Sequence, residues 1–234
     1  METTIGKKIV ISTEDLAKTY HESKIPVQAL KDVDLKIEEG EFTAIVGPSG
    51  SGKTTLLNII GGLDSPSKGK VIIGDTDISK LKESALIDFR LHHIGFVFQQ
   101  YNLIPVLTAK ENVEFIMLLQ KKSMQEMEER AMQLLKEVGL EDKAQVRPAE
   151  LSGGQQQRVA VIRALASRPK FILADEPTAN LDSAAAGNLL DMMARMNREE
   201  NMTFIFSTHD QRVIDKARRV VTLEDGRIIE DEVR

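Results

Sequence analysis

Three short segments carry residue types able to handle phosphate. Gly47-Pro48-Ser49-Gly50-Ser51-Gly52-Lys53-Thr54 has the spacing G-x-x-x-x-G-K-[ST]. It lies between the apolar run Phe42–Val46 and a helical pattern starting near Lys53, the context this motif requires. Glycines let backbone amides turn inward on an anion, and a helix N-terminus adds its dipole. Lys53 would then bridge β- and γ-phosphates, the Thr54 hydroxyl would coordinate Mg²⁺, and Thr55 continues the same turn. Downstream, Phe171-Ile172-Leu173-Ala174 ends in the acids Asp175 and Glu176. Open α/β sheets place ligands at the carboxyl ends of their strands. There Asp175 would hold the Mg²⁺ shell, directly or through water, and Glu176 would polarise an attacking water. An acidic pair at a strand end is by itself commonly a solvated terminus; Pro177-Thr178 after it and the phosphate loop before it favour the chemical reading.

Between these two lies Leu151-Ser152-Gly153-Gly154-Gln155, opening a helical pattern with Val159, Ile162, Leu165 and Ala166. Ser152 and its glycines make another helix N-terminus suited to an anion. Read alone, the segment could equally be a capping loop.

In this order the three segments identify the chain as similar to the nucleotide-binding subunits of ATP-binding cassette (ABC) transporters, over about Ile9 to Glu230. The resemblance implies ATP and Mg²⁺ as ligands, ATP hydrolysis to ADP and phosphate, and a head-to-tail homodimer that buries two nucleotides. Leu151–Gln155 would cap the γ-phosphate held by the partner subunit. Gln99 matches the glutamine that contacts Mg²⁺ and the water, with Gln100 adjacent as a competitor. Asn180-Leu181-Asp182 matches the segment crossing the dimer interface, and His209 the histidine that reaches the γ-phosphate. Tyr20 matches the aromatic that stacks on adenine, a contact that does not itself select the base; with only two Tyr in the chain, a packing role competes. Gln99 to Thr108 and Asp175 to Ser183 look most like the lipoprotein-release and macrolide-export branch. Similar subunits serve cell-division complexes.

The elements that must position these groups are also legible. Phe42–Val46, Ile94–Phe98, Phe171–Ala174 and Thr203–Ser207 are near-continuous apolar runs, as in parallel strands covered on both faces. Val33 to Ile37 alternates, which predicts a half-exposed antiparallel sheet. Val71–Ile73 and Val220–Leu223, the latter before the turn Glu224-Asp225-Gly226-Arg227, predict further strands. From about Leu107 to Leu165 helical patterns take over. Ser123-Met124-Gln125-Glu126 has capping-box spacing, and Gly139 is a plausible stop. The expected fold is therefore α/β: a P-loop NTPase core with a mostly parallel sheet, an N-terminal antiparallel β subdomain and an inserted helical subdomain. Residues 1–234 form one cassette, with the core at about 1–98 and 166–234 and the helical subdomain at about 99–165.

Bulk properties narrow the class. With 234 residues, 41% hydrophobic and 29% charged, the chain reads as globular. A net charge of −5, no Trp and 4% aromatics argue against general nucleic-acid binding. The absence of Cys excludes disulfides and thiolate metal sites. His21, His92 and His93 lack ligand-like spacing, and Met117, Met124, Met127 and Met132 read as helix-interface residues. No apolar run approaches the ~18 residues of a membrane span, and the first residues lack a secretory signal. The expected location is cytoplasmic, peripheral on the inner face of the plasma membrane, beside a separate integral membrane permease. The alternatives are a cell-division type complex or a soluble nucleic-acid- or ribosome-acting ATPase. Chromosome-type members would need a long coiled coil where only about 100 residues separate phosphate loop and signature. Ribosome-type members usually carry two cassettes, and excision-repair members need zinc-binding Cys. A P-loop kinase would leave Leu151–Gln155 unexplained.

Overall fold

The computed structural model describes residues 8–21 and 26–234. In chain order the elements are β1 (Ile9–Tyr20), β2 (Val27–Glu38), β3 (Phe42–Val46), α1 (Lys53–Ile60), β4 (Lys68–Ile73) and β5 (Thr76–Asp77). Then come α2 (Glu83–His93), β6 (Ile94–Val97), α3 (Ala109–Leu119), α4 (Met124–Glu137) and α5 (Gly153–Ala166). The chain ends with β7 (Phe171–Asp175), α6 (Ser183–Glu200), β8 (Thr203–Ser207), α7 (Gln211–Lys216), β9 (Arg219–Glu224) and β10 (Arg227–Val233).

The apolar runs become the central sheet, ordered β10-β9-β3-β8-β7-β6. Five of its six members, from β9 to β6, pair in parallel, and β10 adds an antiparallel edge through the turn after β9. Being parallel, β3, β6, β7 and β8 all end on one edge. The phosphate loop, Gln99, Glu176 and His209 therefore emerge side by side. A second, antiparallel sheet, β2-β1-β4-β5, carries the alternating segment.

Each inner strand feeds two cores, because successive side chains point to opposite faces. Phe42, Ala44, Ile172, Ala174, Phe204 and Phe206 face α3 to α6. Ile45, Phe171, Leu173 and Ile205 face α1 and the antiparallel sheet. Phe42 anchors the first core, its ring 4.6 Å from Phe206 and 5.7 Å from Phe204. The C-terminal half of α1 enters the second core, burying Leu56, Leu57, Ile59 and Ile60, while its first residues stay at the cleft.

The helical segment shares the first core with the central sheet, in one continuous apolar cluster. Thr108 and Glu111 form a full capping box for α3, as Ser152 and Gln155 do for α5. The expected box at α4 is only half formed. Ser123 accepts from the Glu126 amide, but the Glu126 carboxylate is drawn to Lys122 instead, at 2.9 Å. Gly139 follows α4 with φ 67°, the left-handed stop. Met117 is buried, and Met127 and Met132 pack against the cluster. Met124 is 82% exposed, contrary to expectation, because the first position of α4 faces outward. His93 is half-buried, stacked on Phe89 at 4.3 Å, whereas His21 and His92 are exposed. No helix among the described residues is long and apolar enough to cross a membrane.

The approach to α3 depends on Asn112, whose exposure is 0%. Its Oδ1 accepts from the Ile104 amide, and its Nδ2 donates to the carbonyls of Ile104, Leu107 and Thr108. Asn112→Ala should lower unfolding free energy by about 2–4 kcal/mol, since it orphans a buried loop backbone. A urea unfolding curve showing a loss below about 0.5 kcal/mol would mean the loop is held by other contacts.

Candidate functional site

Two clefts collect the sequence-predicted residues, and no lining residue is common to both. The first, 680 Å³, is lined by Gly47, Pro48, Ser49, Gly50, Gly52, Lys53, Thr54 and Thr55, with Gln99, Glu176, Ser207 and His209 across from them. Val27, Gln28 and Ala29 from the start of β2 close its far side. The second, 310 Å³, is lined by Ser152, Gly153 and Gly154 together with Asn180, Leu181 and Asp182.

The phosphate loop is shaped by its neighbours. Gly52 precedes α1 with φ 106°, and a Cβ there would lie 2.5 Å from the Ala29 carbonyl. Only glycine fits. No side chain caps α1, so its first amides face the cleft. Ser51 is buried rather than lining, and its carbonyl accepts from the Gly226 amide of the β9–β10 turn. Lys53 curls back over the loop, donating to the carbonyls of Gly47 at 2.8 Å and Pro48 at 3.0 Å. Both are weak neutral partners that an anion would outcompete.

Opposite the loop, the Thr54 hydroxyl donates to Asp175 Oδ1 at 3.2 Å. Two hard oxygens so placed suit a hexacoordinate cation that takes its other ligands from water and phosphate. Among the described residues no cluster of three or more carboxylates or imidazoles could hold a metal unaided. The donor set therefore fits a metal that arrives with a nucleotide.

Glu176 turns out of β7 in the left-handed region, φ 46°. A non-glycine residue held there is strained and fixed by its surroundings. Its amide donates to the Ser207 carbonyl, and its carboxylate meets His209 Nδ1 at 2.7 Å and the Thr208 hydroxyl at 3.3 Å. Gln99 lines the cleft while Gln100 does not. The Gln99 carbonyl accepts from Asn180 Nδ2 at 2.9 Å, tying this cleft to the loop of the second.

In that second cleft Ser152 caps α5, and the Gln155 side chain is used to return the bond to the Ser152 amide. A Cβ on Gly153 would lie 2.8 Å from the Tyr101 hydroxyl, so glycine allows the loop its close approach. Leu151 is buried in the core and so anchors the segment instead of facing solvent. Asp182 caps α6, accepting from the Ala185 amide.

Tyr20 is not among the cleft-lining residues. It pairs across the sheet with Val27, which is. Its hydroxyl donates to Asp64 Oδ2 at 2.8 Å, and Lys18 Nζ sits 4.8 Å from its ring centre. Burial alone would raise the Asp64 carboxyl, but hydrogen bonds from Lys18 and Tyr20 outweigh it and hold the carboxyl below its ordinary value. Sequence reading missed Ser207, the Val27–Ala29 wall and the carboxylate of Asp210. The one available signal for Asp210 was an acid directly before the helical pattern of α7, the signature of a cap.

A fold with these motifs on one sheet edge is that of a nucleotide-hydrolysing cassette, and comparison with known proteins agrees. Residues 30–179 match the family model described as ABC transporter. The lipoprotein-releasing system ATP-binding protein LolD of Legionella pneumophila (strain Paris) is 43% identical over 218 residues, covering 93% of this chain and 96% of that protein. An uncharacterized ABC transporter ATP-binding protein of Bacillus subtilis (strain 168), YvrO, is 45% identical, with 95% and 97% coverage. Among solved structures, the post-hydrolysis dimer of the ATP-binding cassette MJ0796 bound to ADP and Pi superposes with a TM-score of 0.88. It is 44% identical, covering 95% of this chain and 98% of that one. CbiO1 from Clostridium perfringens, part of the ABC transporter complex cbiONQ, gives 0.87 at 29% identity, covering 97% and 89%. The chain belongs to the ABC transporter family and is an ATPase of that class.

Proposed function

We propose that the chain hydrolyses ATP in a head-to-tail homodimer and drives a separate membrane permease. One observation carries the dimer: the phosphate-loop cleft and the Ser152–Gly154 cleft are separate in one chain. A nucleotide in the first would then meet the second cleft of another copy. The relative captured as a dimer with ADP and Pi supports this arrangement.

In this reading the loop amides and Lys53 bind the triphosphate, Lys53 exchanging its two carbonyl partners for β- and γ-oxygens. Thr54 and Asp175 would hold Mg²⁺, with Gln99 beside them; the ion supplies neutralisation of charge on the phosphate oxygens. Tyr20 and the Val27–Ala29 wall mark the adenine end. Glu176 orients a water on the γ-phosphorus and accepts its proton as the new P–O bond forms. The bond to the bridging oxygen breaks and its electron pair leaves with ADP. His209, fixed through Nδ1 to Glu176, presents Nε2 to the γ-phosphate. Ser152, Gly153 and Gly154 of the partner close the site over that phosphate, with Asn180, Leu181 and Asp182 across the interface.

Permease docking is assigned to a groove between α2, β6 and the helical subdomain at residues 99–165. It has a volume of 560 Å³ and an apolar lining that includes Ile87, Leu91, Phe96, Phe115 and Leu119. Ile87 is 51% and Leu119 49% exposed, a cost in water that an amphipathic partner helix would remove. Of the loop residues 101–107, Asn102 and Ile104 line the same groove, Leu103 joins the core, and Asn112 holds the Ile104 and Leu107 backbones. Docking beside a membrane protein puts the chain on the cytoplasmic face. The lipoprotein-releasing relative favours that branch of exporters.

Glu176→Gln should cut turnover by at least about 100-fold while ATP still binds. Light scattering should show an ATP-dependent dimer for this variant; near-normal turnover would remove Glu176 from the base role. Leu119→Asp should leave basal hydrolysis by the isolated subunit within about twofold, as for other exposed substitutions, and abolish co-purification with the permease from detergent-solubilised membranes. Retained co-purification and transport would place the docking surface elsewhere.

A further inference from the structure

Thr178 lies two residues past Glu176 and two before Asn180, and is 1% exposed. Its hydroxyl donates to Asp210 Oδ2 at 2.6 Å. Asp210 is the residue after His209. Its amide donates to Thr208 Oγ1 at 3.0 Å, and that hydroxyl reaches Glu176 Oε2. The Asp210 carboxylate also caps α7 through the Arg212 amide and takes the Arg212 guanidinium on both oxygens, at 2.7–3.1 Å. Hydrogen bonding from Arg212, helped by Thr178 and opposed by burial, brings its pKa to about 2, so it stays ionised throughout the working range.

One carboxylate thus joins two loops that leave neighbouring strands. Besides this bond, the turn from Glu176 to Asp182 is held at its start by the Glu176 amide on Ser207 O, within itself by the Ala179 amide on Glu176 O and the Leu181 amide on Thr178 O, and at Asn180 by the Gln99 carbonyl and the Tyr101 hydroxyl. Capping α7 and pairing Arg212 do not need Thr178. The buried hydroxyl is the added link, and it connects the partner-facing segment to the loop that carries His209.

We propose that Thr178 and Asp210 are positioning residues: their bond makes Asn180–Asp182 and His209 move as one piece, so that contact with the partner sets the Glu176–His209 geometry. The inference rests on the homodimer reading above. A rigid link of this kind makes each site's hydrolysis depend on the other chain's closure, and so appears as cooperativity in ATP.

Thr178→Val keeps shape and burial, leaves α7 capped and removes only the hydroxyl. In the full chain it should lower kcat about tenfold, the scale of one lost hydrogen bond to a charged group. The KM for ATP should stay near wild type, the melting temperature should fall by no more than the several degrees that one buried hydrogen bond is worth, and the Hill coefficient should fall toward unity. Thr178→Ser should restore both kcat and cooperativity. Should the valine variant not fold, Thr178→Ala makes the same test. Wild-type kcat and cooperativity without the hydroxyl would overturn the proposal. So would a loss that serine does not restore, or one that follows ATP affinity or a larger fall in melting temperature. Glu176→Gln/Thr178→Val should still dimerise with ATP, separating the two claims: absence of any ATP-dependent dimer in Glu176→Gln alone would sink the dimer reading and this inference with it.

Discussion

The hydrogen bond from Thr54 to Asp175, at 3.2 Å, joins residues 121 positions apart, and the rest of the site is arranged around it. It exists because β3 and β7 run parallel in one sheet with only β8 between them. That order sets the phosphate loop on one side of a narrow gap, the two acids on the other, and Ser207 to His209 in the middle. A register slip of one residue in β7 would exchange its core faces and turn Asp175 away from Thr54. The packing of Ile172 and Ala174 against one core, and of Phe171 and Leu173 against the other, forbids that slip. Burial of apolar side chains on both faces is therefore what holds the catalytic edge in register.

Strained and paired elements sit on that edge. Glu176 is held in the left-handed region between the Ser207 carbonyl, Thr208 and His209, all from the β8 end. Lys53 and the capless start of α1 present positive potential across from it. The second cleft uses a related device on a different helix, an N-terminus with adjacent glycines that is, unlike α1, capped by a side chain. Two anion-facing helix ends on one chain, opening into separate clefts, are what the proposed head-to-tail pairing would bring together.

Much of this was legible in the sequence because each part has a local cause. Near-continuous apolar runs marked β3, β6, β7 and β8, and Val33 to Ile37 marked the antiparallel sheet, since strand burial prints directly on residue order. The phosphate loop, the acids and Ser152–Gln155 are contiguous and fixed by backbone chemistry. What escaped depends on tertiary partners. The half-formed box at Ser123 turned on Lys122 competing for Glu126. Met124 pointed outward because of where α4 starts. Leu151 proved an anchor because α5 packs on the sheet. The Thr178–Asp210 bond spans 32 residues and joins two loop positions with no periodic pattern. The choice between Gln99 and Gln100 needed the direction in which β6 ends.

The central claim is that each ATP site is built from two chains, and mixing defective chains tests it most directly. Lys53→Ala disables the phosphate-loop side and Ser152→Arg the facing side. Each variant alone should be inactive. In an equimolar mixture, a heterodimer pairs the intact loop of the Ser152→Arg chain with the intact Ser152 of its partner, while its other site carries both defects. The account predicts ATP-dependent heterodimers and partial recovery of hydrolysis that rises with protein concentration. A mixture with no ATP-dependent heterodimer and no recovered hydrolysis, beside a wild type whose specific activity is independent of concentration, would contradict it.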